Sequence, residues 1–86
     1  MDRNAGETLT VTERVIVAPA VGVFRPQLRD AGPDALLREG DVIGVVEGPG
    51  TVIAIHSPFR GRVVGMLARP GERLREGQPV AWLRVA

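Results

Sequence analysis

The sequence predicts a small all-β domain, and three observations support that class. Val is the commonest residue, and β-branched side chains suit the pleated surface of a strand. Eleven glycines and seven prolines in 86 residues indicate many tight turns. Only residues 27–39 lack strand character, and Gly32 and Pro33 interrupt that stretch, which argues against a helix. We therefore expect short strands joined by tight turns.

Alternating side chains and turn residues indicate where the strands lie. Strands are predicted at about 13–18, 21–25, 42–47, 51–56, 61–67 and 79–85, with short extended pieces near 35–38 and 72–75. Apolar residues occur on both faces of 51–56, which predicts a strand covered on both sides. Residues 26–36 are irregular, and are either a plain surface loop or a protruding loop that contacts a partner.

The chain contains an internal repeat. Residues 37–43 match residues 74–80 at an offset of 37, and residues 19–23 match residues 58–62 more loosely at an offset of 39. Neither half can bury a face alone, so the halves are expected to pack about a pseudo-twofold axis. The domain is assigned to residues 13–86, and the polar residues 1–12 are expected to be a flexible tail.

Composition limits the function classes. The formal net charge of +1 gives no strong field for nucleic acid or a membrane surface. The absence of Cys excludes disulfides and thiolate metal sites. No apolar run is long enough to span a bilayer, and the N-terminus lacks the pattern of a signal peptide, so we expect a cytoplasmic protein.

Few residues suggest catalysis. His56 is the single histidine, and a metal site needs several ligands, so no metal is expected. Ser57 follows it, but adjacent strand residues point to opposite faces and cannot act as a nucleophile and base together. Trp82 is expected in the core. We assign no catalytic residue, which favours a non-enzymatic protein.

Arginines are concentrated in the second half of the chain, at Arg60, Arg62, Arg69, Arg73, Arg75 and Arg84. Glu72 and Glu76 partly offset their charge. These side chains form either a solvated face or a surface for an acidic partner or an anionic coenzyme such as CoA.

An ordered series of short motifs resembles the biotinyl/lipoyl attachment family, which includes biotin carboxyl carrier domains and lipoyl domains. The resemblance covers about residues 14–86 and is carried by Ala18–Phe24, Glu39–Ile43, Val46–Glu47, Ser57–Val63, Pro70–Glu72 and Glu76–Val80. It implies a barrel-sandwich hybrid, a flattened antiparallel barrel of two four-stranded sheets with pseudo-twofold symmetry. In the family, a lysine on an exposed hairpin turn carries the prosthetic group.

That lysine is missing here. With Glu47 and Gly61 in register, its position falls on Gly50, and all eleven basic residues of the chain are arginines. The degenerate attachment hairpin is Glu47, Gly48, Pro49, Gly50 and Thr51. Pro followed by Gly is the preferred composition of a type II turn, so the hairpin is expected to persist. Amide attachment needs a primary amine, so neither biotin nor lipoate is expected. An ordinary turn in an unrelated small β protein is the alternative.

The expected function is a non-modified protein-interaction or structural module. The resemblance implies that the partner of this module is a carboxylase-type complex or a lipoyl-dependent acyltransferase, because these enzymes bind domains of this family. The expected contact residues are Pro49, Gly50, Leu28, Arg29 and Asp30. Exposed edge strands would also allow a homodimer.

The alternative function is a repurposed small-molecule-binding or catalytic β-barrel protein of specialised metabolism. A pocket near Glu47 would favour it, if that pocket were lined by Phe24, Phe59, Met66 and Trp82.

Overall fold

The computed structural model describes residues 12–28 and 34–85, which contain eight β-strands. The strands are β1 (Glu13–Val17), β2 (Gly22–Pro26), β3 (Leu36–Leu37), β4 (Val42–Gly48), β5 (Thr51–His56), β6 (Gly61–Met66), β7 (Arg73–Leu74) and β8 (Pro79–Val85). The predicted all-β class is confirmed, and every predicted strand and short extended piece has a counterpart. No helix in these residues could cross a membrane.

The strands form two four-stranded antiparallel sheets. One sheet has the order β1-β8-β6-β3, and the other has the order β5-β4-β2-β7. Apolar side chains from both sheets meet in one buried cluster between them. This arrangement confirms the flattened barrel-sandwich that the motifs imply.

A pseudo-twofold relationship follows from the strand order. Replacing β1, β2, β3 and β4 by β5, β6, β7 and β8, and the reverse, converts the order of one sheet into that of the other. Thus in each sheet the two edge strands come from one repeat and the two central strands come from the other. The repeat in the sequence is therefore a repeat in the fold.

Equivalent turns in the two halves have the same hydrogen bonds. The Arg38 N–H donates to Asp41 Oδ2 at 2.8 Å, and the Arg75 N–H donates to Gln78 Oε1 at 3.0 Å. In return, the Asp41 N–H donates to the Arg38 carbonyl, and the Gln78 N–H donates to the Arg75 carbonyl. A side-chain oxygen that accepts from the backbone N–H three residues earlier is the local reason that these two matching segments fold alike.

The core is aliphatic, with one aromatic side chain at its centre. Phe24 of β2 is completely buried, and Leu74 and Leu83 of β7 and β8 are buried with it. The remaining members of the cluster are Ile16, Ala18, Leu37, Ile43, Val46, Ile55, Val63, Ala68, Val80 and Ala81. With no disulfide in the chain, burial of these side chains supplies most of the stability of so small a domain.

Two expectations about burial are wrong. Strand β5 is an edge strand, and only its Ile55 is buried, whereas it was expected to be covered on both sides. Trp82 is half-buried and lies outside the core cluster. Its neighbours Ala81 and Leu83 are both buried, and a β-bulge interrupts the facing strand between Val63 and Gly65. Ala81 and Leu83 therefore occupy the core-facing positions of this part of β8, and Trp82 does not.

The two irregular segments are only partly described. The Thr12 carbonyl accepts a hydrogen bond from the Val85 N–H, which ties residue 12 to the domain. The rest of the expected tail, residues 1–11, lies outside the described residues. In the 26–36 stretch, Pro26 ends β2 and Leu36 begins β3. Residues 29–33 of that stretch lie outside the described residues.

Candidate functional site at the β4–β5 hairpin

The candidate site is the turn that joins β4 to β5. Gly48 pairs with Thr51, so Pro49 and Gly50 form a two-residue connection, and both are exposed. Gly50 has φ of +70°, as required at the third position of a type II turn, and proline sets the second position. The geometry agrees with the turn type that the Pro-Gly pair predicts.

The surroundings of Gly50 are open. A Cβ built on Gly50 would have no neighbouring atom within 4 Å. A side chain here would therefore extend into solvent without a steric clash. Its only obstacle is the positive φ, which L-residues adopt at a cost of about 1 kcal/mol.

The segment before β2 lies beside the base of the hairpin. A Cβ built on Gly48 would be 3.7 Å from the Val21 carbonyl oxygen. Val23 of β2 pairs with Glu47 of β4. The segment Ala18–Phe24 and the β4–β5 turn are thus neighbours in space, although more than twenty residues separate them in the sequence.

Glu47 lies on the outer face of its sheet, beside Arg25. Its Oε1 accepts a hydrogen bond from Arg25 Nε at 3.0 Å. Val23 pairs with Glu47 on one side and with Arg73 on the other, so these three side chains share a face. Both members of the Arg25–Glu47 ion pair are exposed, at 55% and 44% of their side chains, and such pairs contribute at most about 1 kcal/mol.

A shallow depression of about 490 Å³ lies at the foot of the turn. Its walls are formed by Val21, Gly22, Val23, Arg25, Glu47, Gly48, Pro49 and Arg73. Val21 is 56% exposed, and Val52, which pairs with Glu47 across the hairpin, is 65% exposed. We call Val21, Glu47, Pro49, Gly50 and Val52 the tip surface. It combines exposed apolar side chains with one carboxylate.

The other predicted contact residues are not part of the tip surface. Leu28 is half-buried and packs against the core. It follows the end of β2 that pairs with Gly44, at the start of β4, whereas the turn lies at the other end of β4. Arg29 and Asp30 lie outside the described residues. A contact through the 26–36 loop stays a prediction, separate from the tip surface.

His56 and Ser57 have structural hydrogen bonds. His56 Nδ1 lies 3.0 Å from the Gly40 carbonyl oxygen, which can only accept in a hydrogen bond between them. The Ser57 hydroxyl is buried and donates to the Phe59 carbonyl at 2.6 Å. The two side chains thus bond to different partners. Among residues 12–28 and 34–85, no three metal-ligating side chains lie together.

The aromatic residues proposed for a pocket contribute to packing instead. Phe24 is completely buried, and Phe59 and Met66 pack against the core. Trp82 is half-buried and belongs to β8, in the sheet that does not contain Glu47. None of these four residues lines the depression beside Glu47, since Phe24 is buried in the core whereas Glu47 is solvent-accessible.

The fold is shared with segments of much larger enzymes. The chain is similar to part of a single-chain, multi-domain long-chain acyl-CoA carboxylase, with a TM-score of 0.75 and 20% identity, covering 91% of this chain and 8% of that one. It is also similar to part of Kluyveromyces lactis urea carboxylase, with a TM-score of 0.70 and 19% identity, covering 83% and 6%.

A third structure is also similar. An aspartoacylase family protein from Mesorhizobium loti has a TM-score of 0.59 and 20% identity, covering 84% of this chain and 23% of that protein. The chain thus spans less than a quarter of each of these structures. No protein-family profile matches the sequence, and no curated protein matches it either. The similarity establishes the fold.

Sequence reasoning located the turn but missed its surroundings. The pairing of Arg25 with Glu47 joins residues 22 positions apart, and only the register of β2 against β4 brings them together. The internal repeat was the one available signal for this pairing. Its similar spacing in the two halves indicates that β2 and β4 are arranged in the same way as β6 and β8.

Proposed function

We propose that this domain is a non-modified, carrier-like module that binds a protein partner through the tip surface. The partner is a carboxylase-type complex or a lipoyl-dependent acyltransferase, the enzyme classes implied by the resemblance to biotinyl/lipoyl domains. Two of the structural neighbours are carboxylases, which supports the first of these partners.

One observation carries the proposal. The hairpin that presents lysine in carrier domains is retained with a regular turn, and glycine stands at the exposed position. Attachment of biotin or lipoate as an amide needs a primary amine, which neither glycine nor the arginines supply. A module that keeps the hairpin and lacks the amine retains only the surface by which carrier domains are recognised.

The tip surface has properties that suit recognition. Val21 and Val52 are exposed apolar side chains on either side of Glu47, and burying them against a partner would be favourable. Proline at position 49 restricts the free turn, so less conformational entropy is lost when it is bound. The ion pair with Arg25 orients the Glu47 carboxylate.

Direct binding to purified enzymes tests the proposal. Carboxylase and lipoyl-dependent acyltransferase components from the source organism would be immobilised one by one, and binding of this chain would be measured by biolayer interferometry. We expect one component to bind. The double variant Pro49→Asp with Gly50→Asp adds two charges to the turn and should abolish that binding.

A second Pro-Gly turn provides a matched control. Pro70 and Gly71 are also exposed, Gly71 has φ of +83°, and a Cβ there would meet no atom within 4 Å. The control variant Pro70→Asp with Gly71→Asp makes the same chemical change beside the far end of β2 and should bind normally. Equal loss of binding in both variants, or binding to no component, would overturn the proposal.

A further inference from the structure

A second, larger depression lies at the pseudo-twofold equivalent of the tip surface. It has a volume of about 680 Å³ and is formed by β3, β6 and β8. Its apolar walls come from Leu36, Val64 and Val85, and three arginines border it, namely Arg60, Arg62 and Arg84. It lies outside the hairpin, so its role is independent of the proposed function.

Comparison of the two equivalent sites shows a change of charge. The offset of 39 between β2 and β6 relates Val21 to Arg60 and Val23 to Arg62. The offset of 37 between β4 and β8 relates Glu47 to Arg84. Two apolar residues and one acid at the hairpin are thus replaced by three arginines. A glycine lies between the first two of these positions in both halves, Gly22 in one and Gly61 in the other.

The arginines repel one another in the absence of a ligand. Arg62 and Arg84 are direct cross-strand partners in β6 and β8, and like charges at such positions destabilise a sheet. Among the described residues, Asp34 supplies the one carboxylate that lines the depression, against three arginines.

The existing contacts neutralise little of this charge. Arg84 Nη2 lies 3.2 Å from Glu13 Oε2, and both side chains remain exposed. Arg62 Nη1 donates to the Asp34 backbone carbonyl, which carries no formal charge. Arg60 has no hydrogen bond or ion pair with any residue in the described ranges. Guanidinium groups in this arrangement can still donate to an anion.

We propose that this depression binds a small organic anion that carries at least two negative charges. Arginine donates planar, paired hydrogen bonds that match carboxylates and phosphates. The volume falls within the range of about 300–1,000 Å³ that is usual for small-molecule sites, and apolar walls with a few convergent polar groups are usual there. Leu36 and Val64 would contact the uncharged part of the ligand.

Titration with defined anions tests this site. Pyrophosphate and citrate would be added separately to this chain, and backbone amide shifts would be followed by NMR. The two titrations distinguish a phosphate ligand from a carboxylate ligand. We expect at least one anion to shift the amides of Gly61, Arg62 and Val85 most strongly. Raising the salt concentration should weaken binding, because the attraction is between charges.

Two variants with equal charge loss separate this site from general attraction. Arg60→Gln with Arg62→Gln should weaken binding by about tenfold or more, the effect of losing one strong charge-assisted contact. Arg38→Gln with Arg75→Gln removes the same charge from two exposed turns outside the depression and should change affinity less than about twofold. Melting temperatures would confirm that both variants fold.

Three results would overturn the inference. One is equal weakening in the two variants, which would show attraction to net charge alone. Another is the absence of localised shifts in the wild type with either anion. The third is tighter binding of a glutamate-rich peptide than of pyrophosphate and citrate, which would replace the small molecule by an acidic protein segment.

Discussion

Gly22 packs directly on the backbone of Glu47, and a Cβ built on Gly22 would lie 2.5 Å from the Glu47 carbonyl oxygen. The equivalent pair in the second half is Gly61 and Arg84, where the same distance is 2.6 Å. In both halves, therefore, a glycine lets one strand approach the backbone of its neighbour. At Gly22 this contact positions the candidate hairpin.

The variant Gly22→Ala should destabilise the domain. The added methyl group meets backbone atoms that cannot rotate away, so β2 and β4 must separate, at a cost of about 1–3 kcal/mol in the free energy of unfolding. Gly61→Ala should have a similar effect. Urea denaturation would measure both changes.

Gly65→Ala is the control for these variants. Gly65 lies in β6, and a Cβ there would have no neighbour within 4 Å. We expect unchanged or slightly increased stability, since alanine reduces the entropy of the unfolded chain. A Gly22→Ala protein as stable as Gly65→Ala would contradict the close approach of Gly22 to Glu47.

Asp41 should stabilise the turn that precedes β4 through its side chain. Asp41 Oδ2 accepts the Arg38 N–H at 2.8 Å, and removing it in Asp41→Ala leaves that donor without its partner in the turn. The expected loss is about 1 kcal/mol in the free energy of unfolding. Asp41→Asn retains an acceptor oxygen and should recover most of the stability. Equal losses in the two variants would show that the carboxylate charge, and not the hydrogen bond, is responsible.

The ion pair between Arg25 and Glu47 should contribute little to folding. Both side chains are about half exposed, so water screens their attraction. A double-mutant cycle of Arg25→Gln and Glu47→Gln should give a coupling energy below about 1 kcal/mol that decreases with added salt. A larger coupling that is insensitive to salt would contradict this assessment. If Glu47→Gln weakens partner binding while stability stays nearly constant, the carboxylate acts in recognition.

Much of the fold could be predicted because its signals are local. Each turn is marked by Gly, Pro or a short polar side chain, and the repeated motif at residues 37–43 and 74–80 indicated two equivalent halves. The position of a strand within its sheet is not local. Residues 51–56 have apolar side chains on both faces, yet β5 has a neighbour on one side only, because strand order depends on pairing between distant segments.

The surroundings of the candidate site depend on the same long-range pairing. The sequence places Arg62 and Arg84 in a second half rich in arginine, but it does not indicate that they are cross-strand partners. Their cross-strand pairing depends on the register of β6 against β8, which a bulge shifts between Val63 and Gly65. Gly50, by contrast, could be placed from the sequence, since the turn it occupies is specified by the residue before it.

The wild-type protein should remain unmodified when it is co-expressed with a biotin ligase and a lipoate ligase. Gly50 offers no amine, and the sequence contains no lysine elsewhere. Intact-mass spectrometry would show an unchanged mass. An increase corresponding to either cofactor would contradict the proposed non-modified module.

Restoring the carrier turn should restore modification if the scaffold still presents it correctly. The variant that combines Gly48→Ala, Pro49→Met, Gly50→Lys and Thr51→Met places lysine between two methionines, as in a carboxyl carrier domain. Replacing Pro49 is necessary because proline holds the turn in a form that requires a positive φ at residue 50, where lysine is strained by about 1 kcal/mol. We therefore expect this variant to be labelled more completely than Gly50→Lys alone.

Pro70→Met with Gly71→Lys provides an equally exposed lysine at the other Pro-Gly turn and should stay unlabelled, because the surroundings of the hairpin are absent there. Labelling of both lysines would show that an exposed amine suffices, and labelling of neither would show that the hairpin no longer has the geometry that ligases recognise.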